Sequence, residues 1–442
     1  METKNTFMKT KPVFSLLVSM SVPMMLSMLI QSLYNIVDSI YVSQLGTDAL
    51  TAVSLAYPLQ NAIVSVAVGV GVGISSAISI HLGSGDQEKA DRSATLGVAL
   101  TVFHCILFIL AGIFVTRPFL SLFTDNPSIL KDACDYTYIV LCFSFGALLQ
   151  ITFEKIFQGI GEMKITMYLL SVGCVINIIL DPILIFGLLG FPRLGVAGAA
   201  IATVIGQISA FLLYVAVYLS KSYAVHIRLK YLRADWKIIG QIYSVGIPSS
   251  IMLLLPSVLI SILNGILAAM SDVYVAVLGV YYKLQTFIYM PANGIVQGMR
   301  PIIGYNYGAG EAERVRTTIR YSLACAAALM LLGTVLSLAV PGPILSLFKA
   351  DAELMEAGVT ALRIICLGFL VSTIGVIYSG TFEALIISLL RQFVITIPLS
   401  FILSRIWGAA GVWISFPAGE LCASVVAFFL LKHYQKGEFS PI

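Results

Sequence analysis

The sequence predicts an all-α polytopic membrane protein with twelve transmembrane helices, on the basis of its composition, its long apolar segments and an internal repeat. Of its 442 residues, 59% are apolar and only 11% are charged, whereas a soluble domain has about 25% charged residues. A single hydrophobic core stops growing beyond about 250–300 residues, so no globular core uses this much apolar sequence. The apolar residues are spread along the whole chain, which indicates many membrane crossings.

The individual crossings are continuous apolar runs. A helix needs about 20 apolar residues to cross a bilayer, and the runs lack the alternation of barrel strands. The first run is too long for a cleavable signal peptide, and no small-residue cleavage site follows it. The twelve predicted helices are residues 13–37, 52–80, 94–116, 134–157, 165–189, 195–219, 240–268, 273–299, 319–341, 358–383, 385–405 and 408–431.

Two halves of the chain resemble each other. "GSGDQEKADRSATLGVAL" from Gly83 matches "GAGEAERVRTTIRYSLAC" from Gly308, and "PFLSLF" from Pro118 matches "PILSLF" from Pro343. Six helices in each copy give two parallel repeats, an arrangement in which transporters bind substrate between the halves. We therefore predict an N-lobe at residues 1–219, a cytoplasmic linker at 220–239 and a C-lobe at 240–442.

The second copy is shorter than the first between its fourth and fifth helices. The first copy has the polar turn "FQGIGEMK" there, and the second reads "FEALIISLLRQ" without such a turn. Either the tenth and eleventh helices meet in a tight turn around Glu383 and Ala384, or a segment that relatives possess is missing and function is impaired.

Positive charge is concentrated on one side of the predicted helices. The side that holds both termini carries most of the 26 Lys and Arg residues, so the positive-inside rule predicts cytoplasmic termini. The net charge of +4 therefore reflects topology, and no soluble basic face for nucleic acid is predicted. The opposite side carries five basic residues, namely Arg117, Lys131, Arg193, Lys349 and Arg405.

The motifs of several enzyme and metal-site classes are absent from the sequence. Seven cysteines and four histidines are scattered without a CxxC pair or the spacing of metal ligands. No GxxxxGK[ST] loop is present to hold ATP phosphates. We expect no enzymatic activity, no metal and no cofactor other than a coupling ion.

Several motifs in order resemble the multidrug and toxic compound extrusion (MATE) family, of the bacterial type. They include "SVPMMLSMLIQSLYNIVDSIYVSQLG", "FQGIGEMK", "NIILDPILIFG", "GVAGAAIATVIGQ" and "NYGAGEAERV". The resemblance implies twelve helices in two lobes that form a V around a central cavity. It also implies a secondary active multidrug efflux antiporter that exports hydrophobic, often cationic compounds in exchange for H+ or Na+. Small-molecule drugs and the lipid bilayer are then the partners of a monomer in the bacterial inner (plasma) membrane.

A charge within the bilayer costs about 2.5–3.5 kcal/mol, and two carboxylates of the predicted N-lobe stand out for this reason. Asp38 ends the first helix, and Asn177 and Asp181 lie four residues apart on one face of the fifth. The resemblance implies that these three residues form a site for H+ or Na+ in the N-lobe. It adds Thr203 and a tyrosine of the fourth helix, Tyr136 or Tyr138, of which we select Tyr138.

The C-lobe lacks the acids of sodium-coupled relatives, because its seventh helix has none and its tenth has only Glu383. H+ is therefore favoured over Na+. Other charges within helices are candidates for the substrate cavity, and Glu154 and Lys155 are expected to reach toward the membrane surface. The cavity candidates are Lys283, Arg391 and Glu420.

Two alternative functions remain open. A lipid-linked oligosaccharide flippase of the same superfamily would need a cationic cavity, to which Lys283 and Arg391 are the plausible contributors. A membrane scaffold or an impaired transporter is suggested by the missing turn near residue 384, although paired aspartates within the bilayer argue against a scaffold built for packing alone.

Overall fold

The computed structural model describes residues 7–346, 348, 352–378 and 384–436, without the side chains of 384, 386, 387 and 427–436. Within these ranges the chain is helical and has no strand. The first eight helices are α1 (Phe7–Thr10), α2 (Val13–Ser43), α3 (Thr47–Gly83), α4 (Gln87–Leu120), α5 (Pro127–Cys142), α6 (Phe145–Gly159), α7 (Met163–Phe186) and α8 (Val196–Ser220). The others are α9 (Trp236–Ala268), α10 (Asp272–Gly308), α11 (Ala312–Ala339), α12 (Pro341–Ser346), α13 (Ala352–Ile365), α14 (Leu367–Tyr378), α15 (Ala384–Leu389), α16 (Ile397–Trp407) and α17 (Ala409–Lys436).

The predicted membrane crossings are confirmed. Ten helices among the described residues are long and apolar enough to cross a bilayer, and two bent pairs of helices raise the number to twelve. Several extend beyond the predicted bounds, because polar residues at the membrane surface continue the same helix. The α4 helix, for example, begins at Gln87, and the side chain of Asp86 accepts a hydrogen bond from Lys89 N as its N-cap.

Both bent crossings occupy the fourth position of a repeat. The axes of α5 and α6 differ by 45°, and those of α13 and α14 differ by 49°. The breaks fall at Phe143–Ser144 and at Cys366, beside the small residues Gly146 and Gly368 that tolerate such bends. Hydropathy alone treats each of these crossings as one straight segment.

The eleventh crossing contains an irregular helical turn. Residues Leu390–Thr396 form a π-helix between α15 and α16, a rare geometry that often marks functional sites. The predicted tight turn or deletion at Glu383 and Ala384 adjoins residues 379–383, which lie outside the described part of the chain, so both alternatives for it remain predictions.

The contacts between residues divide the chain into two units. The first comprises the described chain to Ser250 together with Pro301–Val315, and the second comprises Ile251–Arg300 and the described residues from Arg316 onward. The three dividing points lie within α9, α10 and α11. The prediction of lobes separated by residues 220–239 is not tested by this division and stays a prediction.

In the first unit, the end of α3 crosses the end of α10 through two contacts that involve equivalent residues of the two repeats. A Cβ atom on Gly83 would collide with Tyr305 O, and a Cβ atom on Gly308 would collide with Ile80 O. These two contacts are equivalent in the repeat, since Gly83 matches Gly308 and Ile80 matches Tyr305. Glycine is therefore required at both positions for the backbones to approach so closely.

The predicted linker packs on α4 through buried hydrogen bonds. Asp91 is 3% exposed, and its Oδ1 accepts hydrogen bonds from His226 N at 2.9 Å and Gln87 Nε2 at 2.9 Å. Arg228 N donates to Thr95 Oγ1 at 3.1 Å. Since these backbone donors are satisfied by side chains of α4, this part of the linker is a fixed element of the first unit.

Candidate functional site

The two aspartates singled out from the sequence meet inside the first unit. Asp38 lies in the last two turns of α2, Asp181 lies in α7, and α2 packs along α7. Their carboxyl groups are within hydrogen-bonding reach of each other. Asp181 is fully buried, and Asp38 Oδ1 is a buried atom that accepts no hydrogen bond from the described residues. The sequence pattern therefore identified a pair of carboxyl groups in contact.

Asn177 joins Asp181 to α8. Its amide is satisfied on both sides when Nδ2 donates to Asp181 Oδ2 at 3.0 Å and Oδ1 accepts from Thr203 N at 3.0 Å. Asn177 is 2% exposed and Thr203 is 3% exposed. The helical spacing of Asn177 and Asp181 turns both side chains to one face of α7, as the sequence predicted.

The choice of Tyr138 is corrected by the structure. Tyr136 is the residue beside the aspartates: it is 3% exposed, interacts electrostatically with Asp38 and Asp181, and donates a hydrogen bond to Gln60 Oε1 at 3.3 Å. Tyr138 instead packs against an apolar cluster that contains Ala52 and Leu120. Side chains two residues apart on a helix point in directions that differ by about 200°, so only one of the two tyrosines can face the aspartates.

Sequence reasoning missed two members of this cluster. Tyr34 lies one helical turn before Asp38, interacts with both aspartates and forms a hydrogen bond with Thr203. Gln60 of α3 accepts the hydrogen bond of Tyr136. The spacing of four residues in "YNIVD" was a usable signal for Tyr34, whereas Gln60 had none.

The cluster is chemically suited to hold one small cation. Two carboxyl groups in contact, away from water, need a proton or a cation between them to balance their charge. The amide of Asn177 and the hydroxyl groups of Thr203, Tyr34 and Tyr136 supply further oxygen atoms. Oxygen donors of this kind suit H+ or a hard alkali cation and do not suit a soft metal.

The charges proposed for the substrate cavity all lie in the second unit. Arg391 of the π-helical turn forms an ion pair with Glu420 of α17, with Nη1 3.2 Å from Oε1. Lys283 of α10 is exposed and forms no ion pair with any residue that the structure describes. Of the three candidates, the structure therefore joins two.

The expectation that Glu154 and Lys155 reach the membrane surface is wrong. Lys155 is 4% exposed, and its Nζ donates to Gln158 Oε1 at 2.9 Å and to Glu154 Oε1 at 3.3 Å. Gln158 Nε2 also donates to Glu154 Oε1 at 2.8 Å. The helices packed around α6 cover this end, and the stem of Lys155 lies against Gly71 of α3, so the charges are satisfied within the protein.

Comparison with known proteins relates this arrangement to one family. The protein-family model MatE matches residues 23–183 and again residues 248–406. The chain belongs to the MATE family. The double match places one copy of the family unit in each half of the chain, as the internal repeat predicted.

MATE relatives and structures match the chain over nearly its full length. Multidrug export protein MepA of Staphylococcus saprophyticus is 26% identical over 436 residues, covering 96% of each chain. MepA of Staphylococcus aureus strain MSSA476 is 26% identical over 442 residues, again with 96% of each chain covered.

Two solved structures share the fold. An outward-facing multidrug resistance MATE family transporter of the MOP superfamily has a TM-score of 0.92, 26% identity and 98% coverage of both chains. A MOP superfamily transporter from Pyrococcus furiosus has a TM-score of 0.90 and 25% identity, with 98% of both chains covered. Together with the family match, these structures support the twelve-helix MATE fold for this chain.

Proposed function

We propose that this MATE protein is a secondary active multidrug efflux antiporter that exports hydrophobic, often cationic compounds in exchange for a coupling cation. The names of the MepA relatives, which are multidrug export proteins, support the export of drugs. The contact between Asp38 and Asp181 carries the proposal of coupling, because two carboxyl groups in the membrane interior form a site whose charge changes when a cation enters or leaves.

H+ is the coupling cation that we propose, with Na+ at Asp38, Asn177 and Asp181 as the alternative. One proton between two touching carboxyl groups removes their repulsion and needs no further ligands. Na+ would need several oxygen atoms arranged around it. The seventh predicted crossing, α9, contains no Asp or Glu, which supports coupling through the first unit alone.

Alternating access is the transport mechanism that follows for two parallel repeats. In this proposal the protein resides in the bacterial plasma membrane as a monomer, with both termini in the cytoplasm. The concentration of Lys and Arg on the side of the termini supports that orientation.

Transport in inverted membrane vesicles tests this function. An imposed pH gradient (acid inside) should drive uptake of a fluorescent lipophilic cation such as ethidium, and collapse of the gradient should stop it. Asp38→Asn and Asp181→Asn should each abolish gradient-driven uptake while the protein still inserts and folds. Gly240→Ala is a matched control, since a Cβ atom there meets no other atom within 4 Å.

Three outcomes would contradict parts of the proposal. Uptake in neither a pH nor a Na+ gradient would rule out the antiporter. Uptake driven only by Na+ would replace the proton with Na+. Normal gradient-driven uptake by both aspartate variants would show that coupling lies elsewhere.

A further inference from the structure

The ion pair of the second unit lies at an irregular point of the fold. Arg391 belongs to the π-helical turn Leu390–Thr396, and Thr396 Oγ1 donates to Arg391 O at 2.7 Å across five residues. The wider turn changes the direction in which Arg391 leaves the helix and brings it to Glu420 of α17. The side chains of Arg391 and Glu420 are 23% and 14% exposed, so the pair is partly open.

The geometry of this pair is that of a weak contact. Arg391 Nη1 alone approaches the carboxylate, at 3.2 Å from Oε1 and 3.5 Å from Oε2. A strong arginine–carboxylate pair uses two nitrogen atoms in parallel. Here Nη2 and Nε donate no hydrogen bond to any described residue, and the Arg391 side chain is 23% exposed. Another cation can therefore compete for Glu420 without breaking a bidentate contact.

Free space adjoins the carboxylate of Glu420. Gly375 of α14 is buried, yet among the described residues a Cβ atom added to it would meet only Glu420 Oε2, at 3.9 Å, so there is room for a methyl group there. Most glycines at helix contacts in this protein leave no such room. The space therefore lies on the carboxylate side of the ion pair.

Two tyrosine side chains lie near the same carboxylate. Tyr281 and Tyr289 of α10 lie close enough to Glu420 to interact with it electrostatically, and Tyr289 donates a hydrogen bond to Ser372 Oγ at 2.7 Å. Phe416 packs on Tyr281 with ring centroids 5.3 Å apart. A carboxylate with tyrosines nearby is a favourable environment for a lipophilic organic cation, which can gain charge pairing and also cation–π attraction from such rings.

We propose that Glu420 is the counter-ion for a lipophilic organic cation in the second unit, and that Arg391 neutralises Glu420 while the cation is absent. The inference rests on the proposed export function and names a recognition site for its substrates. An anion is the weaker fit for this place, because it would leave Glu420 without a partner, and the side chain of Glu420 is the less exposed of the pair, at 14% against 23% for Arg391. Arg391 thus acts as an internal competitor of the cation.

Binding measurements on purified full-length protein separate this role from a structural one. The probes are tetraphenylphosphonium, a lipophilic cation, and N-phenyl-1-naphthylamine, a neutral aromatic molecule. Glu420→Gln should weaken tetraphenylphosphonium binding by about tenfold or more, because the charge partner is lost. Arg391→Gln should strengthen it, because the competitor is lost. Binding of the neutral probe should change in neither variant.

The double variant Glu420→Gln/Arg391→Gln decides between the two roles. A purely structural pair predicts that each single variant loses thermal stability and binding of both probes, and that the double variant recovers them; this result would overturn the proposal. Recognition by Glu420 predicts that the double variant binds the cation as weakly as Glu420→Gln does. Cation affinity unchanged in Glu420→Gln, or binding of the anion tetraphenylborate that Arg391→Gln abolishes, would also overturn it.

Failure of this inference can be distinguished from failure of the proposed function. If wild-type vesicles export tetraphenylphosphonium and Glu420→Gln binds and exports it normally, the recognition site is wrong and the antiporter stands. If the purified wild type binds the cation through Glu420 but no gradient drives transport, the antiporter is wrong and the site stands.

Discussion

Single residues in this protein take their roles from the direction in which a helix turns them. Tyr136 and Tyr138 are two positions apart in α5 and are the same type of residue. The rotation of α5 turns Tyr136 toward Asp38 and Asp181 and Tyr138 toward an apolar cluster. The chemical difference between them thus comes from position alone.

The two tyrosines provide a matched pair of variants. Tyr136→Phe removes the hydrogen bond to Gln60 beside the proposed proton site, and a loss of about 1 kcal/mol should lower the rate of gradient-driven uptake roughly fivefold. Tyr138→Phe should leave uptake unchanged. Initial uptake rates in inverted vesicles, normalised to the amount of protein, measure both, and equal effects of the two variants would contradict the assignment of Tyr136.

Lys155 is a buried charge that stabilises the fold. Replacing it by Met leaves Glu154 buried without its cationic partner, which should lower stability by about 3 kcal/mol. Lys9 forms a comparable ion pair with Glu311, at 2.9 Å, but on the surface. Lys9→Met should therefore change the melting temperature in detergent very little. A similar change of melting temperature in both variants would contradict the stabilising role of the buried Glu154–Lys155 pair.

At the level of elements, helix ends and irregular turns set the positions of the functional side chains. The α4 helix begins at a tight turn in which Gly85 has φ +77° and Asp86 caps the first amide groups. The equivalent turn before α11 has Gly310 with φ +73°. The same glycine conformation therefore precedes the third crossing of each repeat.

The cap of α4 should depend on pH. Hydrogen bonds from the side chain and the amide group of Lys89 lower the pKa of Asp86 below its ordinary value of 3.8. A lowered folded-state pKa means that the carboxylate stabilises the protein above pH about 4 and loses this contribution as the pH falls through its folded value. Asp86→Ala should cost about 1 kcal/mol near neutral pH.

Hydrogen exchange of the amide groups in the first turn of α4 measures the effect of the cap. Protection of Lys89 N should fall in Asp86→Ala at pH 6 to 8, and the difference from wild type should shrink below pH about 4. Glu88→Ala removes a neighbouring carboxylate that forms an ion pair with Arg92 at the surface, so it is the control. A difference from wild type that is constant down to the lowest pH would contradict the cap.

At the level of the whole molecule, the repeat is visible as matching contacts as well as matching sequence. Gly83 lies against the carbonyl group of Tyr305, and Gly308 lies against the equivalent carbonyl group of Ile80. Ser79 contacts Gly304, which is its own counterpart in the second copy. A contact between equivalent residues marks the point where the two copies are related by symmetry. The ends of α3 and α10 therefore form one self-complementary crossing.

In the proposed alternating access the two repeats move relative to each other. Because α3 belongs to the first repeat and α10 to the second, we expect them to separate at this crossing. A Cβ atom on Gly304 would lie 3.1 Å from Ser79 Cβ, slightly closer than the roughly 3.8 Å of a disulfide. Ser79→Cys combined with Gly304→Cys should form a disulfide on oxidation, abolish uptake, and regain it on reduction.

The single variant Ser79→Cys controls for oxidation of the seven native cysteines. Its uptake should not respond to oxidant. Full uptake by the oxidised, cross-linked double variant would show that this crossing stays closed throughout transport.

The sequence alone determined the number and approximate positions of the crossings, the duplication and the acids of the candidate site. Membrane crossing depends on local hydrophobicity, since each helix satisfies its own backbone in lipid, and this information is contiguous in the chain. The pairing of Asp38 with Asp181 was predictable because the motifs that carry them resemble those of the MATE family. The spacing of Asn177 and Asp181 then fixed their common face.

Only the tertiary structure decided which side chains meet between helices. The choice of Tyr136 over Tyr138, the contribution of Gln60, the ion pair of Arg391 with Glu420 and the burial of Lys155 all depend on how each helix is rotated against its neighbours. That rotation is set by packing between segments far apart in the chain, which local pattern does not encode. The bends of the fourth and tenth crossings and the π-helical turn at Arg391 likewise arise where packing outweighs regular helix geometry.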